Sequence, residues 1–485
     1  MNTRGAAGPD SQPMKTESEN ARGGGVEKVF IKRCETYDRG LIQSAIREGM
    51  EALEFRPGGN VFVKPNVVFA TQNGRYGATA YTHPAVVGAS LELLSRFPGV
   101  ERVDMGEKTA IGYPTRLTFR YAGYYDELDA VRCKARSPVN LFCIEEELRD
   151  RVFVGGVVHD TLRIARKMSR ADTKVYLPKL KCHCVSTMTG AVKLNIGICS
   201  DDERAIRHDF MLNDKIVDLL AVGYPDFIVM DAIEVGVGNE AVPTPRKLGL
   251  LIMGKNPLAV DMVGARLLGY DVMEVPYLRR AIERGYRPGR LADVLICGDV
   301  QTVEELDQAG RRLLPRDAEY TRWQDIAKEL ERLKSPLRFY WGKARDDGTR
   351  CETGCIMGAK MFFGFLERYA GERAFQKARP VVMIIGKIDE TIDARGQEVF
   401  LIGACSRAEV VNARNITRID NCFTTAVDMA MTIRGRLGIP APILDPEQVG
   451  PLIRAMLTAS VMKIIKLRYL QDMWQFALRG LQKRI

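Results

Sequence analysis

The sequence predicts an α/β protein with a mostly parallel sheet and helices on both faces, followed by a smaller cysteine-bearing α/β unit. Three observations carry this reading. Between residues 27 and 300, short apolar runs alternate with stretches of helical spacing, the signature of βαβ units. Lysines, carboxylates and histidines collect just after those runs, where ligands bind in open parallel sheets. The chain has 485 residues, 46% hydrophobic and 27% charged, enough for two or three cores.

In chain order, Val29-Phe30-Ile31 reads as a strand and 41–53 as a helix. Val61-Phe62-Val63 is a second strand, ending at Lys64-Pro65-Asn66. A helix is expected over 84–97, with proline at its start, where a missing N–H costs nothing. The run 100–105 is a strand ending at Gly106-Glu107-Lys108, and an aromatic helical stretch holds Phe119, Tyr121, Tyr124 and Tyr125. Strands follow at 139–143, 152–158 and 173–177. Beyond residue 195 the expected elements are a helix over 215–222, a strand over 226–233 and a strand over 249–253. A helix over 257–268, stopped by Gly269, and a strand over 294–297 complete the unit.

Flanking stretches are plainer. Residues 1–26 lack an apolar core and read as a disordered tail, not a signal peptide. Residues 301–345 look like a charged helical connector, with helical spacing at 326–333. The smaller unit, 346–450, has apolar runs at 381–385 and 399–402. Residues 451–485 read as a basic amphipathic helix. Met462, Ile465, Tyr469, Met473, Phe476 and Leu481 form its stripe. Such a helix suits an anionic membrane surface or its own domain, and most such stripes pack on their own domain.

A net charge of +10 favours acidic partners. No nucleic-acid signature accompanies it, and no run of 18 apolar residues suggests a membrane span. Eleven cysteines without an export signal point to a reducing compartment, the cytoplasm.

The stretch 178–195 concentrates the chemistry: Lys179, Lys181, Cys182, His183, Cys184, Ser186, Thr187, Thr189 and Lys193 follow a buried strand. Gly190 then opens a segment with the look of a helix start. Cations and hydroxyls beside backbone N–H groups hold anions. Lys64, Asn66, Lys179, Thr189 and Lys193 are the expected substrate-binding groups. His183 is the candidate acid–base group, Lys181 a base or nucleophile if its pKa is lowered, and Asp231 the residue to orient His183 or bind a cation with Glu234. Asp261, on an apolar helix face, needs a partner. His83, before Pro84, reads as a helix cap. A surface loop with no ligand is the plain alternative for 178–195.

Cys351, Cys355, Cys405 and Cys422 fall in the smaller unit. Four thiolates on loops of one small domain fit a 4Fe–4S cluster or a tetrahedral zinc site, and four unrelated buried thiols are the plain alternative.

Val63-Lys64-Pro65-Asn66, Thr82-His83-Pro84, the stretch 178–195, Val229-Met230-Asp231 and 256–269 with Asp261 resemble the blocks of the domain-of-unknown-function-362 family, in order and spacing, over about 27–300. The chain departs from that pattern at Lys181-Cys182-His183-Cys184, where two thiols stand for two hydroxyls. The family often occurs in iron–sulfur proteins, so the resemblance implies iron–sulfur ahead of zinc. In architecture, and in its use of His and Lys in Gly-rich loops, the chain is also similar to the lactate racemase superfamily; no residue role follows from that.

Three functions are consistent with these features. The first is an iron–sulfur redox enzyme acting on a small carboxylated or phosphorylated molecule, with a redox partner protein. The second is a non-redox isomerase or lyase using His183 and a lysine, with a structural metal. The third is an electron-transfer or assembly partner.

Overall fold

The apolar runs of the larger region pair into one ten-stranded sheet. The structure, a computed structural model, describes residues 26–74, 77–313, 321–440 and 446–474. The tail at 1–25, and Phe476 and Leu481 of the expected C-terminal stripe, lie outside the described residues. In spatial order the sheet runs β12 (Val294–Gly298), β1 (Glu27–Arg33), β11 (Thr244–Gly254), β10 (Phe227–Val237), β7 (Thr173–Leu177), β2 (Gly59–Pro65), β3 (Val100–Glu107), β4 (Val139–Cys143). All neighbours on this path are parallel except β11, which is antiparallel to both β1 and β10.

Because side chains alternate along a strand, each central strand feeds two cores. Val61, Val63, Val175, Leu177 and Val229 join one core with the helices Arg39–Ala52 and Pro84–Ser95. Phe62, Tyr176, Ile228 and Met230 join the other with the helix Pro257–Leu267. Near-continuous apolar runs are therefore what a sheet covered on both faces requires.

Several local expectations change. The strand expected at 152–158 is the hairpin β5 (Arg149–Phe153) and β6 (Thr161–Ala165). The stretch 178–195 is not a loop opening a helix at Gly190. It forms β8 (Lys179–His183), which pairs with β9 (Thr187–Thr189), and then a 3-10 helix, Lys193–Ile198. β10 runs on past residue 233 to Val237 and offers β8 a parallel edge. The register of β10 against β11 shifts between Ala232 and Glu234, a bulge of the kind that re-aims side chains. The single helix expected at 215–222 is two, Leu212–Asp218 and Leu220–Gly223.

The connector also reads differently in three dimensions. Trp323, Ile326, Leu330, Leu333, Leu337 and Phe339 are buried in the core of the smaller domain. Ile326 and Leu330 are spaced for one face of the helix Ile326–Arg332, and Trp323 stacks on Phe363 of the helix Cys355–Ala370 with centroids 5.1 Å apart. That domain is a four-stranded parallel sheet, β13 (Arg338–Trp341), β14 (Val381–Lys387), β16 (Glu398–Arg407), β18 (Asn415–Ile419), with a short ladder of β15 (Ile392–Asp393) and β17 (Val410–Val411).

Candidate functional site

Period-two alternation builds the site from β8. Leu180 and Cys182 turn into the core. Lys179, Lys181 and His183 share the other face, and Lys181 lies directly across from Thr189. All three side chains are buried, at 5% exposure or less, so each needs a partner.

Two lysines spend their charge on carboxylates. Lys179 Nζ is 2.8 Å from Asp231 Oδ2, and it also donates to the Tyr37 hydroxyl. Asp231 further accepts from the Tyr37 hydroxyl and the His83 N–H. Tyr37 stacks on His83 at 3.6 Å, and His83 Nδ1 accepts from Ala85 N–H, capping its helix as its place before Pro84 suggests. Lys64 Nζ lies 2.5 Å from Glu107 Oε2. Asp231 therefore does not orient His183, as expected from sequence; its carboxylate is held by Lys179, Tyr37 and the His83 backbone.

The other two lysines have no carboxylate in contact. Lys181 Nζ donates to the carbonyls of Ala80 and Glu240, at 2.6 and 2.8 Å. Burial pulls its pKa down to about 7. Lys193, partly exposed, makes no ion pair or hydrogen bond among the described residues, and burial lowers it to about 8. Buried hydroxyl and amide oxygens without partners stand in this region: Thr79 Oγ1, Ser186 Oγ, Thr189 Oγ1 and Asn66 Oδ1. Such groups are costly in a fold unless a ligand or water satisfies them.

Glu240, which sequence reasoning missed, is the carboxylate beside His183. His183 Nε2 is 3.6 Å from Glu240 Oε1, and the Cys184 N–H and thiol both donate to Glu240 at 3.2 Å. Burial disfavours the Glu240 carboxylate, but the Cys184 donors and the nearby Lys193 outweigh it and hold its pKa below the usual carboxylate range. His183 Nδ1 accepts from the Val185 and Ser186 N–H groups, so the ring proton sits on Nε2, toward Glu240. Burial holds the ring neutral, with a pKa of about 3. His183, Cys184 and Glu240 group their ligand atoms within 4.8 Å of one another. A metal at Nε2 would force the proton to Nδ1, against two N–H donors, so this trio suits proton donation better than ligation. Asp261 finds its partners in the Ala191 and Val192 N–H groups and the Tyr277 hydroxyl.

The four cysteines of the smaller domain come within electrostatic reach of one another. The Cys355 thiol is pushed up to about 11, by burial first and then by Cys405 and Cys351. Cys422 feels Cys351 and Cys405 in the same way. The Thr424 N–H donates to Cys355 Sγ at 3.2 Å, and the Thr353 and Gly354 N–H groups act on Cys351. Glycines make room: a Cβ at Gly354 would lie 2.9 Å from Cys351 Sγ, and one at Gly403 2.8 Å from Cys355 Sγ. No three of the four sulfurs lie within 4.8 Å of one another.

This cradle presses on the larger domain. The Thr353 hydroxyl donates to the Asp209 carbonyl, and His208 stacks on Phe423 at 4.7 Å. The helix Cys355–Ala370 then leads to the lysine cluster. Lys360 Nζ donates to the Cys184 carbonyl at 3.1 Å, and Asn239 Nδ2 donates to the Lys360 carbonyl. Lys360 was not legible as a site residue, because only the docked helix carries it to residue 184.

The sequence model of the family described as "Domain of unknown function (DUF362)" matches residues 61–266. A thylakoid-associated protein of Synechocystis sp. is 26% identical over 275 residues, 54% of this chain and 81% of that protein. Among solved structures, lactate racemase apoprotein from Thermoanaerobacterium thermosaccharolyticum is similar at 12% identity and a TM-score of 0.32, over 53% of this chain and 58% of that one. A Thermotoga maritima protein is similar at 14% identity and a TM-score of 0.31, over 49% and 60% of the two chains. The chain thus spans less than two thirds of either solved structure, and the fold class rests on the strand order itself. The segment that matches the DUF362 model runs from β2 into the helix Pro257–Leu267 and holds Lys64, Asn66, the β8–β9 hairpin, Asp231 and Asp261.

Proposed function

We propose that this protein is an iron–sulfur oxidoreductase of a reducing compartment, the cytoplasm, acting on a small carboxylated or phosphorylated molecule. One observation carries the reading. Four thiols lie within electrostatic reach of one another around the start of the helix whose Lys360 grips the His183–Cys184 loop. Cys351, Cys355, Cys405 and Cys422 would hold a 4Fe–4S cluster, which when bound exchanges single electrons. Their spacing supports it over zinc. Bonds of about 2.3 Å to one tetrahedral ion would draw the sulfurs to about 3.8 Å apart. The N–H donors at Cys351 and Cys355 favour the thiolate form that a cluster needs. Cys422 is exposed and gives a redox partner protein a point of approach.

The larger domain supplies the rest from its own residues. Lys193 and Lys181 attract the anionic group of a substrate, and Thr189, Ser186 and Asn66 offer unspent acceptors and donors. His183 holds a proton at Nε2, and a Lys181 amine poised near pH 7 takes one up. That pair also supports a second reading, a non-redox isomerase or lyase whose cysteines hold a structural zinc.

Anaerobic purification with iron, sulfide and zinc analysis, and electron paramagnetic resonance after reduction, separates the two. Iron and sulfide in near-equal amounts, lost in single Cys→Ser variants that stay folded, is the expected result. A colourless zinc protein would sink the redox reading and leave the second. Binding of small phosphates and carboxylates is read by thermal shift, which Lys193→Met is expected to abolish.

A further inference from the structure

The last helix, Pro446–Ile465, reverses the usual arrangement of a surface helix. Its inward side is small and polar. Ala455 and Ala459 are buried, and just beyond the helix Lys466 pairs with Glu146 and Glu147. Arg149 Nη2 lies 2.9 Å from Asp472, and Gln471 exchanges hydrogen bonds with the Arg149 backbone. The segment is thus anchored on the larger domain through polar contacts.

Its outward side is large and apolar. Leu457, Ile464, Ile465, Leu470, Met473 and Trp474 are each 59% exposed or more. Eleven of the twenty-two large hydrophobic side chains exposed among the described residues fall within 453–474, which makes this a patch and not ordinary scatter. The single helix expected over 451–485 is interrupted by a turn at 466–467, and of its expected stripe Ile465, Tyr469 and Met473 face outward instead of into a core.

Charge says what covers the patch. Residues 446–485 carry seven Lys and Arg against two Asp and Glu; Arg479, Lys483 and Arg484 lie outside the described residues, Lys466 and Arg468 are paired with Glu147 and Asp472, and Arg454 and Lys463 make no ion pair among the described residues. Arg454 lines a shallow groove with Ile453, Leu457 and Val461, and Lys463 Nζ stands 5.9 Å over the Tyr469 ring. A second copy would bring the same positive charge against itself. No helix among the described residues is long and apolar enough to cross a membrane. We infer that the 453–474 face docks on an anionic lipid bilayer, lying in its interfacial plane with Tyr469 and Trp474 at headgroup depth. Apolar burial and attraction to acidic headgroups act together in such binding.

The test uses the full chain with phosphatidylcholine vesicles, with and without phosphatidylglycerol. The protein is expected to float with the phosphatidylglycerol vesicles, to shift its fluorescence to the blue, and to release as salt rises. Leu457→Glu/Ile464→Glu/Leu470→Glu alters only exposed side chains, so far-UV circular dichroism should be unchanged. It is expected to weaken vesicle binding at least about tenfold, and Trp474→Phe to remove most of the blue shift. Failure to bind phosphatidylglycerol vesicles overturns the inference, as does equal, salt-insensitive binding to phosphatidylcholine alone. So does a lipid-free dimer that the triple variant dissociates, since a second copy would then own the face.

Discussion

Glu107→Gln should strand a buried ammonium, and the cost can be worked from the geometry. Lys64 Nζ and Glu107 Oε2 are 2.5 Å apart, with 0% and 3% of their side chains exposed. At an effective dielectric of about 20, two unit charges at that distance attract by about 7 kcal/mol. The lysine has an escape, because burial already lowers its pKa and it can shed its proton. At pH 7, shedding it costs about 1.4 kcal/mol for each unit up to its free value, or about 5 kcal/mol. The loss is therefore capped near that figure and should fall at about 3–5 kcal/mol, the usual cost of breaking a buried pair. In the variant, unfolded Lys64 holds a proton that folded Lys64 lacks. Stability then rises with pH, and the deficit should shrink by about 1.4 kcal/mol per unit from about pH 7 to 9. Urea unfolding followed by far-UV circular dichroism measures this. Trp323 and Trp341 lie in the smaller domain, so in a Trp474→Phe background tryptophan fluorescence is an internal control for that domain. Lys64→Met/Glu107→Leu should recover most of the loss, since a well-packed apolar pair can replace a buried ion pair. A Glu107→Gln deficit below about 1 kcal/mol, or one that ignores pH, would refute the reasoning.

Gly197→Ala should disturb the same pair from the other side, costing about 3 kcal/mol in the same unfolding assay, because its Cβ would lie 2.5 Å from Lys64 Nζ and closer still to Glu107. Trp323→Ala should cost about 3–5 kcal/mol in the smaller domain, followed through Trp341, with the circular-dichroism transition of the larger domain unmoved. Burial holds His83 near 4 and His183 near 3, both below their unfolded value, so each stays neutral in the fold while the unfolded chain binds protons. Stability should therefore fall as pH drops from about 6.5 toward 4, by up to about 1.4 kcal/mol per unit for each ring. His83→Gln or His183→Gln should flatten that slope; an unchanged slope in both would rule the histidines out as its source.

Much of the fold was legible because strands and helices write their periods locally. The apolar runs at 61–63, 173–177 and 227–230 are strands of a sheet buried on both faces, and their flanking helices lie close to where the spacing puts them. Lys64, Lys179, Lys181 and Asp231 were visible as a polar set after those runs. Which cation meets which carboxylate was not. Lys181 reaches the Glu240 carbonyl across 59 positions of sequence, and no local pattern marks Glu240 as the neighbour of His183. Asp231 looked like the group for His183 and instead holds Lys179, because the β10 bulge and the β8 register decide which side chains face one another.

The cysteines follow the same division. Their residue type and common domain could be read from the chain, but Cys351 and Cys405 come within electrostatic reach only because the helix Cys355–Ala370 starts beside the end of β16. The C-terminal segment makes the point most directly. Helical periodicity announced an amphipathic helix with a basic character; it could not say which side faces inward. That was decided by Glu146, Glu147 and Arg149, more than three hundred residues earlier, which pull Lys466, Gln471 and Asp472 against the larger domain and turn the large apolar side chains out. A period is a property of neighbouring residues, whereas the choice of face is a sum of contacts between distant ones, and only the folded chain performs that sum.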